Sequence, residues 1–289
     1  MPSLKNIRRR IASVKSTRQI TRAMKLVAAA KLRRAQERLV QLRPYAARIA
    51  QMIAELASGT DATAHPLLAQ RPPKRTLLLL LTSDRGLAGA FNSNVNKAAL
   101  NWILEHKDQR DHIELRVVGK KGRDFFKARK FEIGHVYTDV LNQVTLERAT
   151  GIGREVVAAY VDGNFDEVYV VCNVFKSAIA QNARIDRLLP LTPEDHDHNA
   201  STLDDTLFEP TKKHVLDAIL PMDIHVQLYR YLLESVASEM GARMTSMDAA
   251  TKNANDLMSR LTLQYNRARQ SIITTELTEI TSGAEALKG

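Results

Sequence analysis

A glycine-bearing turn, Ser83-Asp84-Arg85-Gly86-Leu87-Ala88-Gly89-Ala90-Phe91-Asn92-Ser93-Asn94, follows an apolar run of strand length. That is where a doubly wound sheet binds phosphate. The turn lacks the third glycine of the dinucleotide fingerprint and the Gly-Lys-Ser/Thr of a P-loop, so a structural strand-to-helix turn fits it better than a nucleotide site. Gly151-Ile152-Gly153 is weaker still, because it lies in a helix-patterned stretch. Asp195-His196-Asp197-His198 carries metal-ligand chemistry, but it sits in a polar linker with no second cluster and reads as solvated loop. Cys172, on an apolar strand, reads as a small core residue. No serine or cysteine nucleophile has a histidine in a recognisable context, and the carboxylates are scattered over helix faces. The residues offer no catalytic constellation.

The elements that must position these residues show two periodicities. Met240, Met244, Met247, Thr251, Ala254, Met258, Leu261, Tyr265, Ala268, Ile272 and Thr275 step by four and three, a 3.5-residue repeat with Gly283 as its expected stop. The seam is narrow and rich in Met, Ala and Thr, so it calls for one long partner helix rather than a broad core. The partner is at the other end of the chain. Leu4, Ile7, Ile11 and Val14, then Ala28, Leu32, Ala35, Leu39, Leu42, Ala46, Ile49, Ile53 and Leu56, keep the same spacing, with a polar interval at Arg18, Thr21 and Lys25. This predicts a helix over residues 3–58, on the order of 80 Å long, kinked but not stopped at Pro44. Pro210 suits the first turn of the last helix, and Pro221 is expected to interrupt it, with Asp223 capping the helix beyond the break.

Between the helices the period changes. Thr76–Thr82, His112–Val118 and Glu167–Val174 read as strands, and Asn94–Glu105, Lys120–Lys130 and Thr145–Asp162 as helices. Their alternation implies a mostly parallel sheet covered on both faces. The expected fold is thus α/β plus a long antiparallel α-helical coiled coil, its N- and C-terminal helices paired and a Rossmann-like domain inserted between them. The boundaries are 1–59, 75–190 and 207–289, with 191–206 a linker.

Charge and composition narrow the function. Residues 1–58 hold 14 Lys and Arg against Glu37 and Glu55, a balance of +12 in a chain of net +10, so the other 231 residues sum to −2. With a pI near 9.7, the chain suits an acidic partner. One cysteine excludes an internal disulfide and agrees with a reducing compartment. No apolar run approaches a membrane span and no signal-peptide region opens the chain, so a soluble or peripheral protein is expected. Residues alone leave three readings: a positive rod inserted among acidic loops of a protein partner, a nucleotide-binding α/β protein, or a basic coiled coil on nucleic acid. The last lacks aromatic platforms, since Tyr45 is the sole aromatic in the basic helix.

The two ends carry a resemblance. Ile11-Ala12-Ser13-Val14 and Gln19-Ile20-Thr21-Arg22-Ala23-Met24-Lys25-Leu26-Val27-Ala28-Ala29-Ala30-Lys31, with Glu239-Met240-Gly241-Ala242-Arg243-Met244 and Tyr265-Asn266-Arg267-Ala268-Arg269-Gln270-Ser271-Ile272-Ile273-Thr274-Thr275-Glu276-Leu277-Thr278-Glu279-Ile280-Thr281-Ser282-Gly283-Ala284, resemble the gamma subunit of F-type ATP synthases. Ser83–Gly89 and Asn92-Ser93-Asn94 form a third matching block. The resemblance implies a central rotor shaft with no catalytic, cofactor-binding or metal residues of its own. Its partners would be the alpha and beta subunits of the catalytic ring, the epsilon subunit and the membrane c ring, on the cytoplasmic face of a bacterial inner membrane, with no nucleic acid. It carries ring contacts onto Met24, Lys25, Arg243, Gln270 and Thr274, and epsilon or c-ring contacts onto Leu207, Phe208 and Glu209. Arg243, Gln270 and Thr274 lie off the seam and are expected to face outward, so that Arg243→Ala would leave folding nearly intact. Small apolar residues such as Ala284, Ala286 and Leu287 would let the tip turn in its bearing. Thiol control of the chloroplast type is not expected.

Overall fold

The computed structural model describes residues 3–58, 65–177, 181–192 and 211–286. Its elements run α1 (Leu4–Ser58), β1 (Arg75–Leu81), α2 (Phe91–His106), β2 (His112–Val118), α3 (Lys120–Lys127), β3 (His135–Tyr137), α4 (Leu146–Val161), β4 (Glu167–Phe175), β5 (Gln181–Leu189) and α5 (Lys212–Ala286). The chain divides into two bodies, residues 28–243 and residues 1–27 with 244–289. The division falls inside both long helices rather than at the ends of the α/β block.

The larger body is built on one sheet, in the order β3-β2-β1-β4-β5. β1, β2, β3 and β4 are parallel, and β5 runs antiparallel to β4. The unbroken leucine run of β1 is explained by its central place. Leu77, Leu79 and Leu81 point to the face covered by α4 and the long helices, and Leu78 and Leu80 to the face covered by α2 and α3. A parallel strand buried on both faces has no polar side to alternate with. β3 and β5 have no counterpart among the expected strands. β3 has three residues, and β5, Gln-Asn-Ala-Arg-Ile-Asp-Arg-Leu-Leu, is a polar edge strand.

Two glycines are required where they stand. Gly119, at φ 96, begins the turn into α3, where a Cβ would come 2.1 Å from the Thr82 carbonyl oxygen. Gly153 lets α4 close on α5, since a Cβ there would meet His225 Cδ2 at 2.4 Å. That accounts for Gly153 of the Gly151-Ile152-Gly153 motif as helix packing, whereas a Cβ at Gly151 would meet no atom within 4 Å.

α5 departs from expectation at three points. Pro221 lies inside an unbroken helix, as Pro44 does in α1. Asp223 is buried and accepts the Gln227 side-chain amide at 2.6 Å, so it is no N-cap; the backbone N–H of His214 instead donates to Thr211 Oγ1 at 3.3 Å. Gly283 does not end the helix, which continues to Ala286. Pro210 lies outside the described residues.

In the smaller body the first part of α1 and the last part of α5 pair antiparallel. Leu4, Ile7, Ile11, Val14, Arg18, Thr21 and Lys25, with Met24 beside the last, are the buried or half-buried positions of this part of α1, and all but Met24 follow the four-three seam read from the sequence. Met244, Met247, Thr251, Ala254, Met258, Leu261, Tyr265 and Ala268 answer them. Cross-pairs Arg18–Asn255, Thr21–Thr251 and Lys25–Asp248 have residue numbers summing to 272 or 273. By that register Leu4 stands opposite residues 268–269. The paired seam is therefore shorter than its sequence period. Ile272 and Thr275 have no α1 left to meet, and all 18 residues from Arg269 to Ala286 are exposed.

Candidate functional site

The turn after β1 is closed on itself. The Ser83 hydroxyl donates to Arg85 O at 2.7 Å, the Ser83 N–H donates to Asn92 Oδ1 at 3.0 Å, and Asn92 Nδ2 donates to Ser83 Oγ at 2.9 Å. The Asp84 carboxylate accepts the backbone N–H groups of Lys120 and Asp139. A carboxylate already holds the amides that would otherwise cradle an anion, so this turn suits a structural part better than a phosphate. It turns outward at Leu87, which has φ 63 and is 67% exposed.

α5 clamps the turn from behind. Arg243 Nη1 pairs with Glu239 Oε1 at 2.7 Å, and Nη2 donates to Gly86 O at 3.1 Å. Both side chains are buried, Arg243 at 9% exposure. Burial pushes the Glu239 carboxyl above its usual range, and the Arg243 guanidinium pulls it back. Arg243 therefore faces inward, which corrects the expectation that it is an outward contact. The 3.5-residue frame fails here because α5 between Ile224 and Arg243 is covered on most of its circumference.

In the smaller body, the polar interval of α1 meets a polar interval of α5. Thr21 Oγ1 and Thr251 Oγ1 lie 2.8 Å apart, and Arg18 Nη1 donates to Asn255 Oδ1 at 3.2 Å. Lys25 Nζ binds Asp248 Oδ1 at 2.6 Å, while Lys252 reaches the other oxygen at 3.3 Å. Lys25, then Lys252, holds the Asp248 carboxyl below its usual range. Solvent screens an exposed ion pair, so this one adds little stability. The set contributes register more than stability, as polar groups within an apolar seam do. Sequence reasoning misses Asp248 and Asn255 because they flank the seam, and only the opposite helix reveals them.

Met24 is half-buried beside Lys25, whose ammonium is already bound within the chain. Gln270 and Thr274 are exposed on adjacent turns, the Thr274 hydroxyl donating to Gln270 O at 2.9 Å. Lys25 stands opposite Asp248, 22 residues before Gln270, or roughly 33 Å along α5 at 1.5 Å per residue. The candidates are thus strung along helices and do not form one pocket. Leu207, Phe208, Glu209 and Asp195–His198 lie outside the described residues. Among the described residues no three His, Cys, Asp or Glu side chains are grouped to hold a metal. Cys172 is buried and its thiol is pushed far up by desolvation, as an inert core residue should be.

A family model described as ATP synthase matches residues 3–287. The ATP synthase gamma chain of Geobacter metallireducens is 49% identical over 289 residues, all of both chains. That of Anaeromyxobacter sp. strain Fw109-5 is 48% identical over 292 residues, again covering both chains completely. Among solved structures, a chain of the central stalk and c-ring of Tetrahymena thermophila mitochondrial ATP synthase superposes with a TM-score of 0.62 at 27% identity, covering 80% of this chain and 99% of that one. A chain of the Euglena gracilis mitochondrial ATP synthase in rotational state 3 gives a TM-score of 0.69 at 21% identity over 98% and 94%, a likeness of fold. Matched from residue 3 to residue 287 and nearly half identical to full-length relatives, the chain belongs to the ATP synthase gamma chain family.

Proposed function

We propose that this chain is the central-stalk rotor subunit of a proton-transporting F-type ATP synthase. It transmits torque between the membrane c ring and the catalytic beta subunits and drives their conformational cycle. The observation that carries this reading is the register-fixed antiparallel pair at 18–25 and 248–255, continued by a helix exposed on every side from Arg269. Such a pair resists twist, and such a helix has its whole surface free for a surrounding partner. The chain itself is no enzyme. Its partners are the alpha and beta subunits, the epsilon subunit and the c ring, with no nucleic acid.

Met24, Lys25, Gln270 and Thr274 are proposed to touch the alpha and beta ring, and Leu207, Phe208 and Glu209 the epsilon subunit and c ring, with block 75–190 as the foot. Arg243 serves the same coupling from within the chain. The protein is placed peripherally on the cytoplasmic face of a bacterial inner membrane. In support, the two full-length relatives nearly half identical to this chain are those of Geobacter metallireducens and Anaeromyxobacter sp., and none of the described helices is long and apolar enough to cross a bilayer.

The test is reconstitution with purified alpha, beta, epsilon and membrane-sector subunits. Stoichiometric co-purification is expected, with proton-driven ATP synthesis that disappears when the chain is left out. Synthesis without it, or saturable ATP hydrolysis by the chain alone, would overturn the reading.

A further inference from the structure

Sheets wound in this way take ligands outside the carboxyl ends of their strands, where the strand order reverses. With the order β3-β2-β1-β4-β5, that point lies between β1 and β4. Here a stretch of α5 stands at it. Leu80 pairs with Val171, which puts Asn173 level with Thr82 at the end of β1. The Asn173 carbonyl accepts the Ser238 hydroxyl at 3.0 Å, and its side-chain amide donates to Phe91 O, at the start of α2, also at 3.0 Å. Just over a turn further on, Arg243 joins Glu239 to the Gly86 carbonyl of the loop after β1. Ala242 packs against Ala88 and Phe91 between these two attachments. Asn173, Ser238, Glu239 and Arg243 are all buried.

Apolar packing fixes how close α5 lies to the sheet, but it is non-directional and holds an angle weakly. Hydrogen bonds weaken steeply once misaligned. Turning α5 by one residue, about 100° about its axis, would bring Gly241 or Arg243 to the place of Ala242 against Ala88 and break every polar attachment.

We propose that Ser238, Glu239 and Arg243 are positioning residues that key α5 into the ligand end of the sheet, and that this key, not the apolar packing of α5, carries rotation between the helix and the α/β body. The part concerning rotation rests on the rotor reading above; the key itself does not.

The variants are Ser238→Ala, which deletes one hydrogen bond, and Glu239→Gln with Arg243→Met, which deletes the clamp without leaving a buried charge. Leu228→Ala, in the apolar core of α5, is the control for lost packing alone. In the full-length chain, amide hydrogen exchange at Gly86–Gly89 should rise at least tenfold in the clamp variant and stay unchanged in the Leu228 variant. In the reconstituted complex, protons pumped per ATP hydrolysed should fall by half or more in the clamp variant, fall less in Ser238→Ala, and hold in the Leu228 variant. Unchanged exchange in the clamp variant, or equal exchange in the Leu228 control, overturns the key. Raised exchange with an unchanged pumping ratio overturns its part in carrying rotation. A complex that pumps without this chain sinks the rotor reading, and the exchange result then decides the key alone.

Discussion

At the scale of single residues, Arg243 shows how context overrides a helical frame. Removing one partner of a buried ion pair costs about 3–5 kcal/mol, because the other charge stays buried. Arg243→Ala should therefore destabilise the chain by about that much in urea unfolding, contrary to the near-neutral effect that an outward side chain would give. The pH dependence has a definite sign. The Glu239 carboxyl titrates above its ordinary 4.5 in the fold, so the folded state holds the proton more tightly and the burial penalty fades as pH falls toward 4.5. Without Arg243 that slope should steepen. His225 works the other way. Burial, then Arg154, holds it below its ordinary 6.5, and its Nε2 has no hydrogen-bond partner among the described residues. Unfolded chain gains the proton first as pH drops below 6.5, so stability should fall there, and His225→Phe should flatten that fall in thermal melts at pH 5.5 and 7.5.

At the scale of elements, most of the architecture was legible. The seam of α1 was readable because each helix of a two-helix pair buries only one narrow stripe, and a stripe leaves a period. β1 and β4 were readable because strands covered on both faces become near-continuous apolar runs, and β2 because Ile113, Leu115 and Val117 alternate with Glu114 and Arg116. What failed lacked a period. Arg243 sits where α5 is enclosed on most sides, β5 is a polar edge, and the end of pairing at Ala268 depends on where α1 begins. Pro221 failed because packing against the sheet and α4 outweighs a local preference. The same helix physics gives two expectations. Pro44 is exposed and removes one helical hydrogen bond, so Pro44→Ala should stabilise the chain by about 1–3 kcal/mol, read from the urea midpoint. Most helical stability comes from tertiary packing, which Arg269–Ala286 lacks, so its amides in the free chain should exchange far faster than those of Met247–Leu261.

At the scale of the whole molecule, charge is distributed as unevenly as structure. The +12 of residues 1–58 against −2 elsewhere makes α1 the electropositive part. Association of the full chain with acidic partner surfaces should then be steered electrostatically. Its on-rate should drop at least tenfold between about 50 mM and 500 mM salt in stopped-flow mixing, where the Debye length shrinks well below 10 Å. An on-rate indifferent to salt would assign the recognition to apolar contacts such as Ile272, Ile273, Leu277 and Ile280. Those residues stand on the part of α5 that outlasts its companion. Flexural stiffness climbs much faster than cross-section, so the last stretch, roughly 27 Å of lone helix, is the most compliant portion of the smaller body, whose remainder is a braced pair. A sideways push there is absorbed as bending before it can loosen the register at Thr21 and Thr251, as a soft tip on a stiff axle tolerates an imperfectly centred socket.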